Sequence, residues 1–139
     1  MARTVCPNDR CDMIAVDTSA LVAIVLGEAE GNTCIAILES EPAVLISAGT
    51  VAEALIVAAR RSVADEMAKL LDGLGFDIVT VTAASARRIA AAYERWGKGI
   101  HPAGLNFGDC FAYEVAKEHN CRLLFVGDDF SKTDVESVL

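Results

Sequence analysis

Short apolar runs alternate with longer helical segments along this chain, and this alternation most limits the folds open to it. The runs cover residues 13–16, 44–46, 76–81 and 122–126, and each is too short for a helix. Between them, apolar residues recur at helical spacing, as in the segment 84–96. Strands that alternate with helices form a parallel sheet, because each crossover helix must pack back onto it. The sequence therefore predicts an α/β fold of three layers, α/β/α, around a central parallel sheet.

Capping residues and a proline predict where several helices begin and end. Ser19 is expected to cap the first helix, and Asn106 is expected to cap the last one, which runs to about His119. Pro42 is expected to end a helix over 29–41, because proline cannot continue the helical hydrogen bonding. Two further Ala- and Leu-rich helices are predicted over 49–61 and 63–74.

Length and composition predict one compact domain. A chain of 139 residues can bury a core without disulfides or metals, and 53% of its residues are hydrophobic. No run approaches the roughly 18 uncharged apolar residues of a membrane span, so no membrane partner is expected. Residues 1–12 lack periodicity and precede a second methionine, so we expect a flexible extension there and a single domain over 13–139.

The five cysteines indicate a reducing compartment. They are odd in number, lack the Cys-x-x-Cys spacing of zinc sites and follow no secretory signal. Reduced thiols in a cytoplasmic protein are therefore expected. Cys110 stands next to an acidic residue of interest, and a buried structural thiol is the interpretation that we favour for it.

Acidic residues follow the predicted strands or stand alone in apolar helices. Asp17 ends the first run, and Asp128 and Asp129 follow the last one. Glu53 is the only charge between residues 48 and 59, and Asp109 opens an apolar helical stretch. In an open parallel sheet, sites form beyond the carboxyl ends of the strands. These carboxylates are therefore expected to share one edge of the sheet.

Each acid also has a simpler structural interpretation. Asp17 can satisfy free N–H groups before the first helix, and Asp109 is favoured by the dipole of its own helix. Asp128 and Asp129 can form a solvated turn. Glu53 is harder to explain in this way, because Val51, Leu55 and Ile56 would surround it with apolar side chains.

A cluster of carboxylates in such a chain predicts a divalent-metal site. Asp and Glu oxygens with only two histidines in the chain favour Mg²⁺ or Mn²⁺ over Zn²⁺. A metal held in this way supports phosphate chemistry. The net charge of −8 weakens the case for a nucleic-acid ligand, although several of the negative charges belong to the proposed metal site.

Four segments carry these acids in order: 13–21 (MIAVDTSAL), 52–55 (AEAL), 105–113 (LNFGDCFAY) and 124–134 (LFVGDDFSKTD). Together they resemble the motifs of PIN-domain ribonucleases, and specifically those of the VapC toxins of bacterial toxin–antitoxin pairs. The resemblance runs from Met13 to the end of the chain. It implies a metal-dependent endoribonuclease.

The resemblance also implies roles for individual residues. The four catalytic carboxylates would belong to Asp17, Glu53, Asp109 and Asp129, with Asp17 and Asp109 as the Mg²⁺ ligands. Asp128 would occupy a variable position beside them. Thr18 and Ser19 match the polar pair beside the first acid, and Thr133 matches a supporting hydroxyl. Related sequences often carry a lysine where this chain has Val126.

Partners follow from the same resemblance. An RNA substrate, a cognate antitoxin protein and a homodimer are expected, and an arginine of the antitoxin would pair with the acids of the site. Phosphate contacts are expected from nearby cations, Arg60 first, and then Arg61, Arg87, Arg88, Arg95 and Lys98. Two alternatives stay open: a catalytically inactive binding module of the same fold, and a phosphoacceptor or phosphatase domain with Asp17 as nucleophile.

Overall fold

The computed structural model describes residues 13–139, in which a four-stranded sheet is enclosed by six helices. The first half of this region runs β1 (Met13–Val16), α1 (Thr18–Val25), α2 (Gly31–Ser40), β2 (Ala43–Ser47), α3 (Ala48–Arg60) and α4 (Ala64–Gly73). The second half runs β3 (Asp77–Val79), α5 (Ala83–Trp96), α6 (Phe107–Glu118), β4 (Arg122–Leu124) and a 3-10 turn, Asp129–Lys132. The expected extension at 1–12 lies outside the described residues.

The sheet is parallel throughout, and its strand order is β3-β2-β1-β4. Successive side chains of a strand point to opposite faces, so each strand contributes to two separate cores. In β1, Ile14 and Val16 join the core formed with α1 to α4, whereas Ala15 joins the core formed with α5 and α6. Helices therefore cover both faces, and the predicted three-layer α/β/α fold is confirmed.

Most predicted helix boundaries lie within two residues of the observed ones, but the first cap was wrong. Asn106 caps α6 as expected, because its side-chain oxygen accepts a hydrogen bond from the Asp109 N–H at 2.8 Å. The cap of α1 is Asp17, whose carboxylate accepts from the Ser19 N–H at 3.0 Å. The Ser19 hydroxyl instead accepts from the Val126 N–H at 3.0 Å and joins α1 to the chain beyond β4.

Two strands are shorter than predicted. The run 76–81 forms only the three residues of β3, at the edge of the sheet, where Ile78 is 61% exposed. The run 122–126 contributes only Arg122–Leu124 to β4. Beyond it, Val126 bonds to Ser19 and leads to Gly127, whose φ of 103° turns the chain toward the 3-10 turn. The acids of this segment therefore lie on a turn beside the end of β1.

Within residues 13–139, no helix is both long and apolar enough to cross a membrane.

Candidate active site

Asp17 is held rigidly at the end of β1 with one carboxylate oxygen unused. Its backbone N–H donates to the Leu124 carbonyl at 3.0 Å, and its Oδ2 accepts the Ser19 N–H. The residue is 3% exposed, and its buried Oδ1 has no hydrogen-bond partner among the described residues. A buried carboxylate oxygen without a donor is costly and indicates that something else compensates it.

Burial raises the pKa of the Asp17 carboxyl to about 7, because water no longer solvates the charge. The hydrogen bonds from Ser19 oppose this rise, while the negative charges of Asp109 and Glu53 add to it. Asp17 therefore shares a negative electrostatic environment with two of the other predicted site residues.

Asp109 is the third residue of α6 and forms a reciprocal cap with Asn106. Its Oδ2 accepts from the Asn106 N–H at 3.0 Å while its own N–H donates to the Asn106 side chain. Burial raises the pKa of Asp109 to about 6, and the Asn106 bond opposes the rise. The charges of Asp129 and Glu53 raise it further. The pKa of Asp109 is thus affected both by Glu53 on α3 and by Asp129 near the C-terminus.

Glu53 reaches the site from α3 and is held there by Thr18. The Thr18 hydroxyl donates to Glu53 Oε1 at 2.5 Å, which links α1 to α3. The carboxylate lies so close to α6 that a β-carbon added at Gly108 would collide with it. The expected apolar burial of Glu53 was wrong: the residue is only half-buried, and its neighbours Leu55 and Ile56 are exposed.

Asp129, rather than Asp128, is the C-terminal acid whose charge acts on Asp109. It is the first residue of the 3-10 turn and is exposed. Asp128 precedes that turn, and its backbone carbonyl accepts from the Ser131 N–H at 3.1 Å. Asp129 is therefore the acid of this turn that acts electrostatically on Asp109, whereas Asp128 contributes a backbone hydrogen bond to the turn.

Of the four residues expected to support the site or contact the substrate, Thr18, Ser19, Thr133 and Arg60, the first two hydrogen-bond to proposed catalytic carboxylates, Thr18 through its hydroxyl and Ser19 through its backbone N–H. Thr18 contacts a site carboxylate directly, and Ser19 ties the Asp17 segment to Val126. Thr133 instead donates its hydroxyl to the Phe130 carbonyl at 2.7 Å and so shapes the turn that carries Asp129. Arg60 ends α3, two helical turns beyond Glu53, with its side chain exposed.

Two of the cations expected to hold phosphate are instead paired within the protein. Arg88 donates to the buried Glu114 carboxylate at 2.9 Å and approaches Glu118 at 3.3 Å. Arg95 stacks over the Trp96 ring at 4.4 Å from its centroid and approaches Asp134 at 3.7 Å. Both guanidinium groups therefore have partners within the protein.

Cys110 is a buried thiol, as expected, and Cys34 and Cys121 are buried as well. Burial, followed by the charge of Asp109, raises the pKa of the Cys110 thiol to about 11. Cys110 is therefore a protonated packing residue beside the site. Cys6 and Cys11 lie outside the described residues.

The donor set fits a hard divalent cation. Within residues 13–139, no three His, Cys, Asp or Glu side chains already surround a common point closely enough to hold an ion. Nevertheless, Asp17 Oδ1 has no partner among the described residues, and burial together with neighbouring carboxylates raises the pKa of both Asp17 and Asp109, which indicates acids that a cation would stabilise. Oxygen-only ligands of this kind suit Mg²⁺ or Mn²⁺, which retain several waters.

Comparison with known proteins assigns the family. The PIN domain family matches residues 14–136. Ribonuclease VapC30 of Mycobacterium tuberculosis is 40% identical over 128 residues, which cover 90% of this chain and 98% of that protein. The chain belongs to the PIN-domain family of VapC ribonucleases. This assignment removes the phosphoacceptor and phosphatase alternative.

Solved structures agree with the PIN fold. M. tuberculosis VapC20, described as a toxin that cleaves the sarcin–ricin loop, superposes with a TM-score of 0.74 at 21% identity, covering 90% of this chain and 98% of that one. A toxin–antitoxin complex from Klebsiella pneumoniae gives a TM-score of 0.66 at 20% identity, covering 87% and 92%.

Sequence reasoning did not anticipate one polar network of this PIN domain. The Trp96 indole N–H donates to the Tyr113 hydroxyl at 2.9 Å, and that hydroxyl donates to Asp134 Oδ1 at 2.6 Å. Tyr113 follows Asp109 by four residues, so the two side chains lie on one face of α6. That spacing was visible in the sequence, but the partner on the C-terminal segment was not.

Proposed function

We propose that this protein is a metal-dependent endoribonuclease and the toxin of a toxin–antitoxin pair. Its catalytic carboxylates would be those of Asp17, Glu53, Asp109 and Asp129. The observation that carries the proposal is the buried Asp17 Oδ1, which lacks a donor among residues 13–139 and stands beside the charges of Asp109 and Glu53. The names of the VapC relatives support the ribonuclease class.

Asp17 and Asp109 are the proposed ligands of Mg²⁺, with Mn²⁺ as the alternative ion. Such an ion acidifies a coordinated water and neutralises the charge that develops on a phosphodiester. Both carboxylates are fixed before any ion binds, because each accepts a hydrogen bond from a backbone N–H at the start of a helix. Little side-chain entropy then remains to be lost on metal binding.

The remaining residues would orient the reactants. Thr18 holds one oxygen of Glu53 and leaves the other free to orient a water or a second ion. Asp129 is exposed and can contribute a charge on the solvent side. Arg60 and Arg61 lie at the end of the helix that carries Glu53, where they can contact an extended RNA strand. Charge contacts of this kind are not sequence-specific, so they suit a backbone-gripping role.

A cognate antitoxin is the proposed protein partner, supported by the VapC relatives and by a related fold in a toxin–antitoxin complex. An antitoxin arginine placed among the acids would satisfy Asp17 Oδ1 with a charge-assisted hydrogen bond. The homodimer and the cytoplasmic location stay predictions. Light scattering of the purified protein tests the first.

The test of the nuclease is cleavage of total cellular RNA with Mg²⁺, with Mn²⁺ and with chelator. We expect cleavage by the natural protein with either metal, and background cleavage by Asp109→Asn. The amide of that variant can still accept the Asn106 N–H, so its fold should persist in circular dichroism. Glu118→Gln is the matched control, because it neutralises a carboxylate on the same helix away from the site.

Three outcomes are informative. An Asp109→Asn protein that cleaves at the natural rate would contradict the site assignment. Metal binding without cleavage by the natural protein would favour the inactive binding module. Cleavage that needs metal and is lost in the variant supports the nuclease, and mapping the new RNA ends identifies the target.

A further inference from the structure

The Asp129 side chain is not held in place by polar contacts within the described residues. It is exposed, and no hydrogen bond or ion pair to its carboxylate occurs among residues 13–139. Its charge nevertheless reaches Asp109 on α6. Something else must therefore hold the segment that carries Asp129 beside that helix.

The segment from Asp129 to Asp134 is internally braced. The Thr133 N–H and hydroxyl both donate to the Phe130 carbonyl, at 3.0 and 2.7 Å. Phe130 is 2% exposed and packs on Phe125 with ring centroids 5.1 Å apart. A displacement of Asp134 would therefore be transmitted to Asp129 through a short and rigid piece of chain.

Asp134 is fastened to α6 by Tyr113. The buried Tyr113 hydroxyl donates to Asp134 Oδ1 at 2.6 Å, and Lys117, one turn further along α6, lies 3.3 Å from Asp134 Oδ2. Burial and the Asp134 bond raise the pKa of Tyr113 to about 12, so its hydroxyl stays protonated and donates. Lys117 and Arg95 are largely exposed, and ion pairs of that kind contribute little. The Tyr113 bond is thus the principal polar contact of Asp134, and it acts together with the buried Phe130 ring to hold the segment against the core.

We propose that Tyr113 and Asp134 are positioning residues that set the separation between the Asp109 and Asp129 carboxylates. Tyr113 lies one helical turn after Asp109 on α6. The same helix therefore carries Asp109 and the hydroxyl that binds the segment containing Asp129. This inference rests on the proposed nuclease site. It assigns no contact with RNA to either residue.

The first test compares Tyr113→Phe with Tyr93→Phe. The first removes only the hydroxyl that binds Asp134, and the second makes the same change at a half-exposed tyrosine on α5. Mn²⁺ affinity by titration calorimetry, kcat and KM for a defined RNA, and the melting temperature are measured for both. Since small displacements of a site cost up to about 100-fold in rate, we expect Tyr113→Phe to lower kcat and Mn²⁺ affinity by about 10-fold. We expect KM to stay within about twofold, because no contact with RNA is removed. Tyr93→Phe should match the natural protein.

A double-mutant cycle separates positioning from general stability. If Tyr113 acts through Asp129, Tyr113→Phe should weaken Mn²⁺ binding little further in an Asp129→Asn background. Asp134→Asn keeps an oxygen for the Tyr113 hydroxyl and should retain Mn²⁺ affinity, whereas Asp134→Ala should resemble Tyr113→Phe.

Two results would overturn the inference alone while the natural protein binds Mn²⁺ and cuts RNA. One is a Tyr113→Phe protein with a lower melting temperature but natural kcat and Mn²⁺ affinity. The other is full additivity with Asp129→Asn. A natural protein that neither binds Mn²⁺ nor cuts RNA would instead overturn the proposed function, and this inference with it.

Discussion

Replacing Asp17 by asparagine should stabilise the metal-free protein at neutral pH while abolishing its activity. Burial raises the pKa of this carboxyl from 3.8 to about 7. A folded-state pKa above the unfolded value means that the folded protein binds the proton more tightly, so ionisation opposes folding. One unit of pKa corresponds to about 1.4 kcal/mol. A rise of about three units therefore lowers the free energy of unfolding by about 4 kcal/mol when the carboxyl is ionised.

The difference in stability between the natural protein and Asp17→Asn should depend on pH in one direction. Near pH 4 the carboxyl is protonated in the folded protein and about half protonated when unfolded, so only a small part of the difference is present and natural protein and Asp17→Asn should differ little in stability. As the pH rises from 3.8 through 7, the free energy of unfolding of the natural protein falls relative to that of Asp17→Asn. Above pH 7 the difference between the two proteins should be constant. Asparagine can also cap α1 through its side-chain oxygen, so the helix start is preserved.

Urea unfolding of both proteins with chelator, at pH 4, 6 and 8, measures the difference. With a urea dependence of about 2 kcal/mol per molar, about 4 kcal/mol moves the midpoint by about 2 M at pH 8. Added Mn²⁺ should stabilise the natural protein and leave the variant unchanged. The reasoning would be refuted if the variant were no more stable than the natural protein at pH 8. It would also be refuted if the variant exceeded the natural protein in stability by the same amount at pH 4 and at pH 8.

Two further substitutions probe how Glu53 is placed. Gly108→Ala should displace the Glu53 carboxylate, with which the new methyl group would collide, and lower kcat by about 10-fold or more in the RNA assay. Gly73→Ala is its control, because nothing lies near that position, and it should leave cleavage unchanged; equal activity of both variants would contradict the placement. Thr18→Val removes the hydroxyl that binds Glu53 and should lower Mn²⁺ affinity by about 10-fold, because Glu53 would orient a water of the metal site and loses its anchor; a calorimetric titration identical to that of the natural protein would refute this.

The fold and the placement of two acids at helix starts could be predicted because both depend on local patterns. Alternation of short apolar runs with helical segments is enough to predict a parallel sheet covered on two faces. The position of Asp17 directly after a strand, and of Asp109 three residues after a capping asparagine, placed both acids at helix starts, which the structure reproduces.

The parts that could not be predicted depend on distant neighbours. An edge strand has one pairing partner, so β3 contains only three residues of the predicted run. Ser19 was expected to cap a helix, but its hydroxyl binds Val126, far along the chain. The surroundings of Glu53 were misjudged because the faces of α3 that are covered depend on α1 and α6. No local pattern pairs Thr18 with Glu53 or Tyr113 with Asp134.

The pairing of β1 with β4 has a consequence for how this protein is made. The strand that leads to Asp17 is among the first residues described, yet it pairs with residues more than a hundred positions later, as Ile14 opposite Arg122. Asp129 follows later still, so the carboxylates cannot converge on a ribosome-bound chain that is only partly synthesised. Interrupted translation would leave fragments without the last acid. Under the proposed function, such fragments would lack nuclease activity.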